Sequence, residues 1–260
     1  MPDVQSMFGP AAANYSTSKV HANPEELERL VQLVGPRRTD RVLDVATGTG
    51  NTAFAFAPHI AEVVAYDLTP SMLEQVELGA AQRGLENVRT QLGDACAIPE
   101  PGESFDLVVV RLAPHHFHDI EGFMAGARAA LKPGGKLLVS DTATPDDPEL
   151  NRQIDEIETL RDPSHVHNLT YSEWRDAFAR HGFEVTHTEE RGDWAGEHGD
   201  RMDFDTWVER INTPRENRAE LRRRFIEADP KLREGLRIEL KGDKIAFGLP
   251  RITILGTRLP

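Results

Sequence analysis

Short apolar runs alternate with helix-like segments through the first 142 residues. The apolar runs occupy residues 41–46, 62–67, 88–94, 105–111 and 136–142. Before and between them, apolar positions repeat at helical spacing in residues 23–34, 52–58, 70–83 and around 123–131. Strands that are apolar on both faces and separated by single helices form parallel sheets with helices on both sides. The pattern therefore predicts an α/β fold with a doubly wound, mostly parallel sheet.

Local signals mark the beginning of two helices. Asn23 can cap the first helix, and Glu26 stands three residues later, as in a capping box. Thr170 and Glu173 have the same spacing before a helix predicted at residues 172–181. We expect a reciprocal capping box at both positions.

Beyond residue 144 the regular alternation ends. Helices are predicted at 148–161 and 172–181, and strands at 183–190 and 245–258, as read from spacing and apolar runs. The polar segment from about 203 to 240 has helical spacing. We predict an N-terminal arm (1–22) and one domain (23–260) with a helical insertion at about 203–240. The arm and the insertion are expected to form a lid over the substrate.

The composition narrows the functional classes. The chain has 30 Lys and Arg against 43 Asp and Glu, which gives a net charge of −13. This excess of acidic residues excludes a protein that binds the phosphates of nucleic acids, and it argues against binding to an anionic membrane surface. The one cysteine, Cys96, cannot form an internal disulfide and is interpreted as a small buried residue. No leader or long apolar run is present, so we expect a cytoplasmic monomer or homodimer without membrane insertion.

A glycine-rich loop follows the first apolar run. Residues 42–51 read VLDVATGTGN, so a strand leads into a loop with Gly48 and Gly50 and then into a helix. Such loops let backbone amides approach a ligand at the carboxyl end of a sheet. Gly48, Gly50 and Ala53 also satisfy the G-x-G-x-x-A form of a dinucleotide loop. The loop alone therefore leaves an NADP-dependent oxidoreductase as an alternative.

Acidic residues accompany the first three strands. Asp44 stands four residues before Gly48, where a carboxylate would repel a pyrophosphate and attract an amino group. Asp67 closes the second strand, where an acid can accept hydrogen bonds from both ribose hydroxyls. Asp94 and Ala95 follow the third strand and could recognise an adenine edge. Asp44 is thus the main objection to the oxidoreductase.

In this order the motifs resemble the class I S-adenosylmethionine-dependent methyltransferases, within them the small-molecule group similar to the ubiquinone/menaquinone methyltransferases. The motifs that carry the resemblance are residues 42–51, Asp67, residues 93–95, residues 104–110 and residues 131–135. The resemblance implies a seven-stranded sheet whose last strand, near Ile252, inserts antiparallel beside the fifth. It also implies methyl transfer from S-adenosylmethionine to an oxygen, nitrogen or carbon nucleophile of a small organic molecule. A protein of this fold without methylating activity is a further alternative.

The resemblance also implies which residues contact the cofactor. They are Asp44, Ala46, Thr47, Gly48, Thr49, Gly50, Asp67, Leu68, Met72, Asp94, Ala95 and Arg111. Ala46 stands where many members of the family have the first glycine of the loop. Its methyl group is expected to be tolerated because the residue can keep a negative φ.

A histidine-rich segment, residues 114–119, follows the fourth strand at the edge of the expected cleft. In methyl transfer the protein aligns the nucleophile and takes its proton, and a neutral imidazole suits the second task near pH 7. We therefore predict that His115 or His116 acts as a base or orients the substrate. Packing alone is one alternative, and zinc binding by His115, His118 and Asp119 is another.

The residues expected to enclose the methyl acceptor come from separate parts of the chain. They are Tyr15 and His21 in the arm, Arg111 after the fourth strand and Trp207 in the insertion. Arginines within residues 215–224 form a basic cluster. Such a cluster is typical of a solvated helix face, with an anion site as the alternative.

Overall fold

The computed structural model describes residues 23–99, 102–191, 201–211 and 213–260. Its strands are β1 (Arg41–Val45), β2 (Glu62–Asp67), β3 (Val88–Leu92), β4 (Phe105–Arg111), β5 (Leu131–Thr142), β6 (Phe183–Arg191), β7 (Met202–Asp203), β8 (Glu239–Lys241), β9 (Lys244–Phe247) and β10 (Arg251–Arg258). Seven strands form one sheet in the order β3-β2-β1-β4-β5-β10-β6. β10 is antiparallel to both neighbours, and the other pairs are parallel. This confirms the predicted seven-stranded, mostly parallel sheet with an antiparallel last strand.

The described residues form nine α-helices. They are α1 (Pro24–Val34), α2 (Asn51–Phe56), α3 (Pro70–Arg83), α4 (Ile120–Ala130), α5 (Pro148–Arg161), α6 (Tyr171–Arg180), α7 (Phe204–Arg210), α8 (Arg215–Ile226) and α9 (Pro230–Gly235). One apolar cluster packs α1, α2 and α3 on one face through side chains such as Leu30, Phe56 and Val76. A second cluster packs α4 and α6 on the other face through Phe123 and Trp174. Over the described ranges, no helix has both the length and the apolar character required to span a membrane.

The two predicted helix starts are found, and one of them has the predicted capping box. At α6, the Thr170 side chain accepts a hydrogen bond from the Glu173 N–H, and the Glu173 side chain accepts one from the Thr170 N–H. At α1, the Asn23 side chain accepts the N–H group of Glu26. The predicted second hydrogen bond, from the Asn23 N–H to the Glu26 side chain, is wrong, because the Glu26 carboxylate pairs instead with two buried arginines.

The run predicted as one strand at residues 245–258 is divided between two sheets. β9 joins a small sheet of order β7-β9-β8, whereas β10 joins the large sheet between β5 and β6. Pro250 lies between β9 and β10 and has no N–H group for a ladder, so the pairing is interrupted there. Ile252 in β10 lies opposite Asp141 in β5. The predicted insertion near Ile252 beside the fifth strand is therefore confirmed.

β3, predicted as a buried strand, lies at an edge of the sheet. It pairs with β2 and is the first strand in the order. Most of its side chains are exposed, including Leu92 at 58%. The apolar run predicted the strand correctly. The composition of one strand does not show whether a second strand pairs with its other edge or whether a helix covers its faces.

The insertion is part of a second unit, the cap, which consists of α5, α7–α9 and the small sheet. Its core contains aromatic rings in edge-on contact, with centroids 4.9 Å apart for Trp207 and Phe247 and 4.7 Å apart for Phe225 and Phe247. α5 contributes Ile154 to the same cluster. The insertion predicted as helical at about 203–240 contains α7, α8 and α9, and the short strands β7 and β8, which were not predicted, overlap its two ends. Strands this short show no usable hydrophobic period.

The basic cluster on α8 is paired with acidic side chains. Arg223 lies 2.7 Å from Glu220, and Arg224 lies 2.7 Å from Glu156 in α5. These are exposed or half-exposed ion pairs at the surface of the cap. The geometry agrees with the interpretation of a solvated helix face.

Candidate active site

A cavity of about 530 Å³ opens where the carboxyl ends of β1, β2, β4 and β5 meet the cap. Ligands of open α/β sheets bind at this edge, and the volume is ordinary for a small-molecule site. The predicted site residues found in its wall are Ala46, Thr47, Gly48, Thr49, Asp67, Leu68, Met72, Asp94, Ala95, Arg111, His115, His116 and Trp207. Tyr15 and His21 lie outside the described residues.

The loop after β1 is fixed by backbone hydrogen bonds. The Thr47 N–H donates to the Tyr66 carbonyl at 3.1 Å, and the Gly48 N–H donates to Asp67 Oδ2 at 2.8 Å. Gly50, which is not in the cavity wall, is the residue before α2 and has a φ of 85°. A Cβ atom there would lie 2.8 Å from the Phe54 ring. Gly50 is therefore required by backbone geometry and packing.

Ala46 does not have the expected negative φ. Its φ is 51°, in the left-handed region that glycine occupies without a steric penalty. An alanine in this conformation is less stable by about 1–2 kcal/mol. The turn that leads from β1 into the loop places Ala46 in this strained conformation.

Asp44 lies behind the cavity wall. Its Oδ2 accepts hydrogen bonds from the Thr47 hydroxyl at 2.5 Å and from the Ala53 N–H at 3.0 Å. Burial raises the pKa of Asp44 to about 7, although these bonds and the charge of Arg111 act in the opposite direction. The direct cofactor contact predicted for Asp44 does not match this position, because its carboxyl group is engaged by the loop itself.

Asp67 is held at the cavity edge by two backbone amides. Oδ2 accepts the Gly48 N–H at 2.8 Å, and Oδ1 accepts the Thr69 N–H at 2.9 Å. The residue is only 8% exposed, and burial raises its pKa. Leu68 and Met72 line the wall beside it. A carboxylate fixed next to apolar side chains suits a ligand with hydroxyl groups and a flat ring.

The segment after β3 forms the adjoining wall. Asp94 Oδ1 accepts the Cys96 N–H at 2.9 Å, and Asp94, Ala95 and Cys96 all border the cavity. A Cβ atom on Gly93 would lie 2.0 Å from the Tyr66 hydroxyl, so this position requires glycine. Cys96 is half-buried in the cavity wall and not buried as predicted, and desolvation raises the pKa of its thiol, which disfavours the reactive thiolate.

His115 forms a close pair with an acid that the motifs did not indicate. The ring atom Nδ1 of His115 lies 2.8 Å from Asp141 Oδ1, and the backbone N–H of His115 donates to Asp141 Oδ2 at 2.9 Å. Burial disfavours a charged imidazole, but the attraction and hydrogen bond of Asp141 outweigh it and raise the pKa of His115. Asp141 lies near the carboxyl end of β5, just as Asp67 lies at the carboxyl end of β2. Its position in the sequence could therefore have indicated a place in the site.

His116 has different surroundings. Its ring is 4.2 Å from that of His115, and its Nδ1 lies 3.1 Å from the Ser164 carbonyl oxygen. Burial and the neighbouring His115 lower the pKa of His116 to about 3. His116 Nε2 lies 3.8 Å from Asp162 Oδ2, and this carboxylate acts against the lowering of the pKa. Across the described ranges, no group of three or more His, Cys, Asp or Glu side chains is arranged to hold a metal ion.

Two arginines of the cavity wall share one buried carboxylate. Arg111 Nη1 lies 3.5 Å from Glu26 Oε2, and Arg251 Nη1 lies 3.2 Å from Glu26 Oε1. Burial lowers the pKa of Arg111 and brings that of Arg251 to about 10. The charge of Asp44 also acts on Arg111 and that of Asp141 acts on Arg251, so the two guanidinium groups belong to a cluster with three acidic side chains.

The cap closes the far side of the cavity. Trp207 and Arg161 both line it, and the Arg161 guanidinium lies 4.6 Å from the centre of the Trp207 ring. Arg161 Nε also donates to the Trp207 carbonyl at 3.3 Å. The predicted acceptor residue Trp207 is thus placed across the cavity from the glycine loop.

Comparisons with known proteins give one consistent result. A family model described as a methyltransferase domain matches residues 20–188. The chain is 32% identical over 256 residues to YcgJ of Bacillus subtilis, described as an uncharacterised methyltransferase, with 98% of each chain covered. It is 38% identical over 119 residues to the demethylmenaquinone methyltransferase of Thermus thermophilus, which covers 45% of this chain and 54% of that one.

Solved structures agree with the sequence matches. The crystal structure of YcgJ has a TM-score of 0.83 at 30% identity and covers 91% of this chain and 99% of its own. A protein from Bacillus halodurans described as a methyltransferase also has a TM-score of 0.83, at 28% identity, with 91% and 100% covered. These matches give no support to a nicotinamide oxidoreductase.

Proposed function

Because the chain belongs to the S-adenosylmethionine-dependent methyltransferase family, we propose that it methylates an oxygen, nitrogen or carbon atom of a small organic molecule. The observation that carries this proposal is one cavity in which Asp67, Asp94 and the glycine loop share the wall with His115. The cofactor supplies a methyl group on a sulfonium leaving group, so the protein's task is alignment and proton removal.

The cofactor end of the cavity has the chemistry that S-adenosylmethionine requires. Asp67 would accept the ribose hydroxyls, and its fixed orientation lowers the entropy lost on binding. Asp94 and the Ala95 N–H would bind the adenine edge, with Leu68 and Met72 against the ring. The loop that Asp44 supports would hold the methionine part.

At the transfer end, His115 is the better candidate for a base. Asp141 holds Nδ1, which leaves Nε2 as the nitrogen that can accept a proton from an oxygen or nitrogen nucleophile. His116, which borders the cavity next to His115, is proposed to orient the acceptor by hydrogen bonding. The cap would close over the acceptor, as the lid prediction requires.

A thermal-shift measurement tests the proposed cofactor. S-adenosylhomocysteine at a hundred times its Kd should stabilise the fold by about 2.7 kcal/mol. For a chain of this size that corresponds to a rise in melting temperature of about 5–11 °C. NADPH should give no rise. Stabilisation by NADPH alone would overturn the proposal, and release of S-adenosylhomocysteine with a candidate acceptor would establish methyl transfer itself.

A further inference from the structure

Glu158 lies at the cap side of the cavity and has one buried carboxylate oxygen without a hydrogen-bond partner in the part of the chain that the structure describes. The residue lies on α5, is only 3% exposed and belongs to the cavity wall. Its Oε1 is buried without a hydrogen-bond partner among the described residues, while its Oε2 lies 3.6 Å from Arg161 Nη1. Buried polar atoms in folded proteins are nearly always bonded, and an exception calls for an explanation. A ligand in the cavity can supply the missing donor.

The side chains around Glu158 are both acidic and basic. Arg161 is engaged by the Trp207 ring and carbonyl, and its charge also acts on Asp162. Asp162 is a second buried carboxylate of the wall and accepts hydrogen bonds from the Ser164 N–H and hydroxyl. Arg201, Asp203 and Arg210 also belong to the cap side of the wall, which therefore contains three acidic and three basic side chains. The unpaired Oε1 of Glu158 can only accept hydrogen bonds when the carboxyl group is ionised, so it favours a hydroxyl or an ammonium group of a ligand.

Glu158 also lies close to the proposed transfer centre. Its charge contributes to the raised pKa of His115, and both residues border the same cavity. An acceptor whose nucleophilic atom meets His115 can therefore extend toward Glu158. Trp207, Ile211 and Leu249 provide apolar wall at this side.

We propose that Glu158 determines acceptor specificity: its Oε1 accepts a hydrogen bond from a hydroxyl or ammonium group of the acceptor other than the atom that is methylated. The acceptor class is then a small molecule with an apolar body, a nucleophilic atom and at least one further hydrogen-bond donor. This inference rests on the proposed methyl transfer. Sites built to bond a donor reject analogues that lack it far more strongly than apolar pockets reject a size change.

The first part of the test needs neither cofactor nor acceptor. Glu158→Met removes both carboxylate oxygens at nearly the same volume, and Arg161 keeps Asp162 and the Trp207 ring as neighbours. Glu156→Met is the matched control on the exposed face of α5, because it also removes a carboxylate that pairs with an arginine. If Glu158 is kept for a ligand, the melting temperature of Glu158→Met should be unchanged or higher by about 2–4 °C. A fall of several degrees that the control does not share would show a structural role and overturn the proposal.

The second part measures binding of paired probes to the S-adenosylhomocysteine complex by calorimetry. The pairs are catechol with 2-methoxyphenol, and 2-aminophenol with 2-(dimethylamino)phenol, which compare a hydroxyl and an amine with their methylated forms. We expect the donor-bearing probe of at least one pair to bind about tenfold or more tightly. Glu158→Met should abolish this preference, and Glu156→Met should retain it.

The outcomes separate the two proposals. If neither pair shows a preference, if no probe binds, or if the preference survives in Glu158→Met, the inference about Glu158 is wrong while the methyltransferase proposal stands. If S-adenosylhomocysteine itself does not bind, the proposed cofactor is wrong. The melting temperatures of the two variants still decide the role of Glu158 in that case.

Discussion

Replacement of Asp67 by asparagine tests the cofactor end of the site most directly. Asparagine has the same shape but no charge, and its amide nitrogen cannot accept the hydrogen bonds that both carboxylate oxygens now accept from Gly48 and Thr69. A hydrogen bond to a charged group contributes about 1.5–3 kcal/mol. A loss of about 2 kcal/mol corresponds to a Kd for S-adenosylhomocysteine that is roughly 30-fold higher.

The loss of binding free energy should also reduce the rise in melting temperature that the ligand produces. At a ligand concentration a hundred times the wild-type Kd, the variant would be at only about three times its own Kd, so stabilisation falls from about 2.7 to about 0.9 kcal/mol. The ligand-induced rise should then fall from about 5–11 °C to about 2–4 °C. Calorimetric titration gives the Kd directly.

Asp106→Asn is the matched control for this experiment. Asp106 also accepts a backbone N–H, that of Arg41 at 2.9 Å, and it pairs with Lys132 at 2.8 Å. It lies at the amino end of β4, the opposite edge of the sheet from the cavity. This variant should lose stability but keep its Kd within about twofold. Equal affinity of wild type and Asp67→Asn would refute the assignment of the ribose to Asp67.

Further predictions follow from the shifted pKa values of Asp44 and His115 and from the left-handed φ of Ala46. Because the folded pKa of Asp44 is about 7, above its unfolded value, the free energy of unfolding should fall as pH rises from about 4 to 7, and urea titrations of Asp44→Asn should show a smaller fall. The pKa of His115, followed by NMR, should lie above 6.5 and decrease in Asp141→Asn, whose turnover should also drop; an unchanged titration would contradict the pairing. Ala46→Gly should leave stability unchanged or raise it by up to about 1 kcal/mol, whereas Ala125→Gly, in the exposed middle of α4, should lower it by about 1 kcal/mol in denaturant titrations.

Features encoded by neighbouring residues could be predicted from the sequence. The sheet, the helix starts and the placement of Asp67 and Asp94 at one edge all follow from local patterns and from the common direction of parallel strands. The same rule applied to Asp141 would have placed it beside His115, since the acid comes near the end of β5.

Other features depend on partners that are distant in the chain. Glu26 satisfies the pattern of a capping box, but the arginines it pairs with are 85 and 225 positions away. A desolvated ion pair of this kind overrides a local preference, and no spacing rule reveals it. The left-handed φ of Ala46 likewise comes from the turn between β1 and the loop, because alanine by itself disfavours it.

The insertion of β10 between β5 and β6 determines when this protein can finish folding during translation. Glu26 and Arg251 are separated by 225 positions, so at about 5–20 residues per second the ribosome delivers the second partner roughly 11–45 s after the first. Until residues 251–258 have emerged, β5 has an open edge and β6 has no neighbour from the large sheet. Open strand edges are where nascent chains pair wrongly with one another. The interval before β10 emerges is therefore the period in which this chain most needs protection by chaperones.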